Sequence, residues 1–284
     1  TKHSMALTEH GFVYLWGGGW AGQMGDTAAK SFLTPHLLSE DLTFKFISAG
    51  DFCSLAITNR GKVYTWGSGS HGRLGHGDVK PQLAPKVIDH LTKMNVTAVK
   101  VIAGYDHMLL LSDKGELWTW GAGANGETAQ NTTVRRLVPH PVLFYDPTVT
   151  AVTPIAETPA TESTEGQTEE ESRPTPVPVA AEPINHGPFV DIGTGRNFSV
   201  AINSRGECYT WGNPRNGVLG NGSKEGLVFS ATKIQSDIKF SKIFVSRDHV
   251  IALGEGEGAP VEQAPVESAP NGTEPEAAPS NTVN

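Results

Sequence analysis

The chain has 284 residues with a formal net charge of -8, 38% hydrophobic residues, 32 glycines, 19 prolines, six tryptophans and two cysteines. Two cysteines cannot build a disulfide framework, and no apolar run approaches the roughly 20 residues a membrane-crossing helix needs. Disulfide-stapled and helix-spanning classes are therefore set aside, and the spacing of the glycines and tryptophans becomes the informative signal.

The first segments set a pattern. Lys2-His3-Ser4-Met5-Ala6-Leu7 reads as a short strand, and Gly11-Phe12-Val13-Tyr14-Leu15-Trp16-Gly17 as a second with period-two alternation. The pair returns as Phe52–Ile57 with Gly61-Lys62-Val63-Tyr64-Thr65-Trp66-Gly67, and as Asp106–Leu111 with Gly115-Glu116-Leu117-Trp118-Thr119-Trp120-Gly121. A fourth copy is Asn197–Ile202 with Gly206-Glu207-Cys208-Tyr209-Thr210-Trp211-Gly212. In every copy thirteen residues separate His3, Cys53, His107 or Phe198 from its Trp, and six separate that Trp from Gly22, Gly72, Gly126 or Gly217. A constant offset of this kind predicts a hairpin followed by a tight turn, with Asn59-Arg60-Gly61 and Asp113-Lys114-Gly115 as turn residues. Tyr14, Tyr64, Trp118 and Tyr209 form one column and Trp16, Trp66, Trp120 and Trp211 the next. This aromatic face is expected to be the packed one.

Two more strands complete each unit. One follows the glycine turn, as in Pro85-Lys86-Val87-Ile88, whose proline suits a strand start or an edge. The other leads into the next hairpin, as in Phe44–Ala49, Val99–Ala103 and Phe189–Thr194. Four strands in about fifty residues is the arithmetic of a β-propeller blade. The fold class is thus all-β, a propeller of four to five four-stranded blades. Residues 1–145 hold three repeats, and 188–253 hold a fourth and half of a fifth, Glu262 standing where the fifth Trp would fall.

Residues 146–187 are rich in Pro, Thr and Glu, and 254–284 repeat the theme. Both are expected to be disordered, because such compositions cannot bury enough apolar surface to offset ordering entropy. The first of them stretches the Trp-to-Trp spacing from 50 and 54 residues to 91, so it is a loop within a unit. The insert carries -7 and the tail -6, leaving about +5 for the repeats. A mildly basic body without a dense Lys/Arg stripe argues against direct contact with nucleic acid or chromatin.

The Gly-x-Val-Tyr-x-Trp-Gly strand, the Gly22-Gln23-Met24-Gly25 and Gly72-Arg73-Leu74-Gly75 turns and the Asp-His pairs resemble the repeats of the regulator of chromosome condensation family. The resemblance spans 1–145 and 188–253 and implies a propeller, commonly of seven blades. On that expectation about three repeats precede Thr1, which is not a Met and opens in the middle of a hairpin. The founding member of the family is a nucleotide exchange factor for a nuclear small GTPase, with acidic and His residues of the pre-histidine turns facing the GTPase. The resemblance carries this to Asp51 and Asp106. The exchange factor's long wedge after one Trp-Gly has no counterpart here, where Arg215-Asn216-Gly217-Val218-Leu219-Gly220 is too short.

No phosphate-binding loop, metalloprotease helix, nucleophile elbow or zinc-spaced cysteine pair is present, and no cofactor or metal is expected. His3, His107 and His249 recur at one position per unit, which favours a repeated structural hydrogen bond; His36, His71, His76 and His140 fall in expected loops, exposed by default. The candidate partner-binding residues are Asp51, Asp106, Arg196, Asn197, Arg247 and Asp248, because equivalent turns of successive blades converge at one mouth of a propeller. The expected role is a non-enzymatic module that docks another protein, with exchange on a small GTPase as the alternative. Two cysteines on separate strands fit a reducing cytoplasmic or nuclear compartment, with an organellar one left open.

Overall fold

The computed structural model describes residues 2–144, 186–222 and 224–255. The described chain forms five antiparallel sheets, each a meander in sequence order. The first contains β1 (His3–Leu7), β2 (Val13–Gly17) and β3 (Phe32–Leu37). The second runs β4 (Phe44–Ala49), β5 (Cys53–Thr58), β6 (Val63–Gly67) and β7 (Gln82–Val87), followed by the short helix α1 (Asp89–Lys93). The third is β8 (Ala98–Ala103), β9 (His107–Ser112), β10 (Leu117–Gly121) and β11 (Arg136–Pro141). The fourth is β12 (Phe189–Thr194), β13 (Phe198–Asn203), β14 (Cys208–Gly212) and β15 (Val228–Lys233), and the fifth is β16 (Lys239–Val245) with β17 (Val250–Glu255).

The hairpins lie where the offsets put them. His3 pairs with Gly17, Cys53 with Gly67, His107 with Gly121 and Phe198 with Gly212. At the turns the glycines alone take the left-handed conformation, as at Gly61 (φ 76°) and Gly115 (φ 77°), while Asn59 and Asp113 stay in ordinary regions. The outer strand starts earlier than expected: β7 begins at Gln82, and Pro85 sits inside it. A proline is tolerated there because β7 pairs only with β6, and the ladder is interrupted between Thr65 and Gly67.

The expectation that one face of each hairpin is packed is corrected. Val63 and Thr65 are as buried as Trp66, and Leu117 and Thr119 as Trp118 and Trp120. Each inner sheet is covered on both sides by its neighbours, so the period-two pattern separates two kinds of packing instead of core from solvent. The apolar clusters accordingly span sheets, one joining Leu55 and Val63 to Val101, Leu110 and Trp120.

The three seams between the first four sheets use the same bond. Trp66 Nε1 donates to the Gln23 carbonyl at 2.9 Å, Trp120 Nε1 to that of Arg73 at 2.8 Å, and Trp211 Nε1 to that of Glu127 at 2.8 Å. Each acceptor follows the first glycine of the preceding unit's turn. In the third unit that turn ends on Ala129 where the others have glycine, and Ala129 adopts φ 48° with no exposure. A non-glycine residue there stores on the order of 1 kcal/mol of strain. Strands β9 and β10 are nevertheless buried at every position.

The recurrent histidines bond across seams as well. His3 Nε2 lies 2.8 Å from Ser54 Oγ, and His107 Nε2 2.9 Å from Ser199 Oγ. Where the histidine is replaced by Cys53 or Phe198, the position equivalent to that serine in the next unit is Met108 or Val250. His249 is exposed, with no later sheet among the described residues to receive it. Of the histidines assigned to loops, His36 lies in β3 and His140 in β11, and His76 is half-buried against Thr65.

Most of the acidic insert and tail lies outside the described residues. The folded part does reach past both assigned boundaries: β17 extends to Glu255, and the His186 ring packs on Phe144 with centroids 4.1 Å apart.

Candidate functional site

Four turns join the innermost strand of a sheet to its second strand, and each closes with the same bond. Gly50 N donates to the Cys53 carbonyl (2.9 Å), Gly104 N to His107 (2.8 Å), Gly195 N to Phe198 (2.9 Å) and Ser246 N to His249 (3.0 Å). The turns press against one another along one rim. Arg196 N donates to the Arg247 carbonyl at 2.8 Å, and a Cβ on Gly104 would lie 3.0 Å from the Gly195 carbonyl and 2.4 Å from the His107 ring. Glycine at 104 is thus required by close approach. The six residues expected to converge do share this rim, but their side chains do different things.

Asp106 is an internal partner. Its carboxylate pairs with Arg73 Nη2 and lies 3.5 Å from His71 Nδ1, with 18% of its side chain exposed. Arg73 is buried and held from three sides, since its Nε also donates to the Ser70 carbonyl at 2.9 Å and its guanidinium lies 5.7 Å from the Phe52 ring centre. A buried guanidinium needs that carboxylate, because desolvating an unpaired charge costs several kcal/mol. Asp51 is half-buried and within electrostatic reach of His3. Asn197 is half-buried, its carbonyl accepting from Asn213 N at 2.9 Å.

The open groups are Arg196, Arg247, Asp248 and Trp20. Arg196 is exposed and rests over the Tyr105 ring at 5.3 Å. Arg247 and Asp248 face each other at 3.7 Å, each 61% exposed, too loose and solvated to lock either. At the first-blade end Trp20 is 63% exposed and meets Phe52 edge-on at 5.2 Å. Sequence reasoning passed over Trp20. The available signal was its position in Gly17-Gly18-Gly19-Trp20, outside both aromatic columns.

Buried polar side chains behind the rim were missed too. Gln23, Arg73 and Glu127 occupy the same turn position and are all buried. Burial raises the Glu127 carboxyl above its usual range, against the opposing bonds from Asn125 N at 2.8 Å and Nδ2 at 2.7 Å. Burial also pushes the thiols of Cys53 and Cys208 up to about 12, which removes them as nucleophiles at neutral pH. Among the described residues no group of three or more His, Cys, Asp or Glu is placed to hold a metal ion, and no helix is long and apolar enough to cross a membrane.

Comparison with known proteins follows the same seams. A model described as "Regulator of chromosome condensation (RCC1) repeat" matches residues 60–111 and 205–253, and a second of the same description matches 44–73, 98–127 and 189–218. Protein RCC2 of Homo sapiens is 27% identical over 144 residues, covering 46% of this chain and 28% of that protein, and RCC2 of Mus musculus matches to the same extent. The chain therefore spans less than a third of the length of these curated relatives. Among solved structures, Prp20p of Saccharomyces cerevisiae, described with its binding to Gsp1p and histones, superposes with a TM-score of 0.65 at 20% identity, over 91% of this chain and 55% of that one. Human WBSCR16 gives 0.52 at 20% identity, over 89% and 70%. With repeat matches falling on successive sheets and a shared propeller fold, the chain belongs to the regulator of chromosome condensation (RCC1) repeat family.

Proposed function

We propose that the protein is a non-enzymatic interaction propeller whose turn-lined rim docks another protein. The observation that carries this reading is the rim itself: Trp20 at one end and Arg196 and Arg247 at the other stand exposed on turns locked to a rigid wall. Exposed Trp and Arg on rigid supports are the residue types that dominate protein interfaces. The buried, unreactive thiols support a role without covalent chemistry, and the free cysteines suit a cytoplasmic or nuclear setting. Capture of partners by the full chain, with Trp20→Ala and Arg196→Ala as variants, tests it. Both substitutions should abolish capture with thermal stability unchanged; capture that survives both places docking elsewhere.

A second reading is exchange on a small GTPase, favoured by the likeness to Prp20p and its description with Gsp1p. It is weakened by Asp106, whose carboxylate is occupied by Arg73. A panel of GTPases loaded with fluorescent GDP decides it: acceleration of release from any member establishes exchange, and none leaves the docking reading.

A further inference from the structure

A groove opens on the outer wall where the second and third sheets meet, away from the rim. It encloses about 240 Å³ and is lined by His76, Lys86, Asp89, His90, Lys93 and Val138. Three elements build it: β7 gives Lys86, α1 gives Asp89, His90 and Lys93, and β11 of the next sheet gives Val138. The His140 ring, also from β11, stacks near His90 with centroids 6.4 Å apart. Helix α1 occurs only after the second sheet among the described residues, so this groove has no copy at the other seams.

Its hydrogen-bond polarity can be read from two contacts. Thr65 Oγ1 donates its proton to the Leu74 carbonyl at 2.7 Å, so toward His76 Nε2, 3.0 Å away, it must accept. His76 is thereby fixed as the Nε2–H tautomer, and its Nδ1 is a bare acceptor. Burial and the nearby Lys86 keep this ring neutral. Lys86 and Lys93 make no ion pair among the described residues. Asp89 in the lining, with Asp78 nearby, offsets part of their charge, and Arg136 adds to it from β11.

The geometry points to a site for inorganic phosphate as hydrogen phosphate: Lys86 and Lys93 meet its oxygens while His76 Nδ1 accepts from its P–OH. The charge balance suits one such group and not a polyanion. Inorganic phosphate retains a proton near neutral pH, whereas sulfate has the same shape and charge but no proton to give, and a phosphomonoester, whose second pKa is about 6, has mostly lost its own. The two anions therefore separate the histidine's role from plain attraction.

The test is titration of the full chain with inorganic phosphate at constant ionic strength, following the ring signals of His76 and His90 by NMR. Saturable shifts in the millimolar range are expected, with sulfate weaker by about 10-fold and the Lys86→Gln, Lys93→Gln double variant weaker by about 10-fold. Trp20→Ala on the rim should leave the titration unchanged. Equal, non-saturating drifts with phosphate, sulfate and chloride would overturn the assignment, as would an unaltered titration in the lysine variant. O-phosphoserine and ribose 5-phosphate, largely dianionic at neutral pH, should compete no better than sulfate, and displacement by either as effective as that by inorganic phosphate also overturns the assignment.

Discussion

Trp66 and Trp16 occupy the same station in successive repeats, yet Trp66 is sealed and Trp16 is partly open. The difference is neighbourhood. Trp66 has the first sheet's turn against it, with Gln23 accepting its N–H and a would-be Cβ of Gly25 3.1 Å from its ring nitrogen, whereas no described sheet precedes Trp16. Leu33 and Leu83 show a milder form of the contrast on the outer strands: Leu83 lies against Gly22 of the preceding unit and is 40% exposed, whereas Leu33 is 98% exposed. Burial in this molecule is a property of the seam between repeats, and identical local sequences differ in what they contribute.

The largest consequence is for Trp66→Ala, which should destabilise by about 3–5 kcal/mol through lost burial and the cavity left behind. Trp16→Ala should cost less than half of that in a chain of residues 1–284, read from chemical denaturation of the two variants. Equal losses in that chain would mean that the seam does not set the difference.

Asp106→Ala comes next, at about 2 kcal/mol, because it strands the buried Arg73 guanidinium. The analogous change at the exposed Asp248 should shift stability by less than about 0.5 kcal/mol. A fully stable Asp106→Ala protein would return that carboxylate to the list of surface contacts.

The His–Ser seams sharpen the contrast further. His107→Phe and Ser199→Val should each cost about 1–2 kcal/mol, and the double variant less than their sum, since the equivalent positions one seam on are already apolar, Phe198 and Val250. Burial holds His3 and His107 at about 4, below their ordinary 6.5, so the folded state prefers them neutral. Below pH 6.5 the unfolded chain takes up protons that the folded one refuses. Stability present above pH 6.5 is therefore lost progressively toward pH 4, and His107→Phe should flatten that slope in thermal melts across the window.

A small effect is expected from removing 146–185 and joining the ends by a short turn. Phe144 stacks with His186, the two being the flanks of the insert, and bridges to Ala231, so the neck is already closed. Stability should change by less than about 1 kcal/mol. A large loss would assign the insert a packing role.

The sequence by itself determined the strands, their pairing and the position of each seam tryptophan. Those follow from offsets of two, six and thirteen residues that backbone geometry makes unavoidable once a hairpin and a glycine turn are in place. The His–Ser alternation was also legible, since a serine follows wherever the preceding unit has histidine, but it becomes meaningful only when facing positions are known. Tertiary structure alone decided that both hairpin faces are buried, that Asp106 belongs to Arg73, and that Trp20 is left in the open. Each of these depends on how one blade leans on the next. Side chains 33 residues apart, such as Arg73 and Asp106, meet through stacking of whole sheets, and no local spacing encodes that distance.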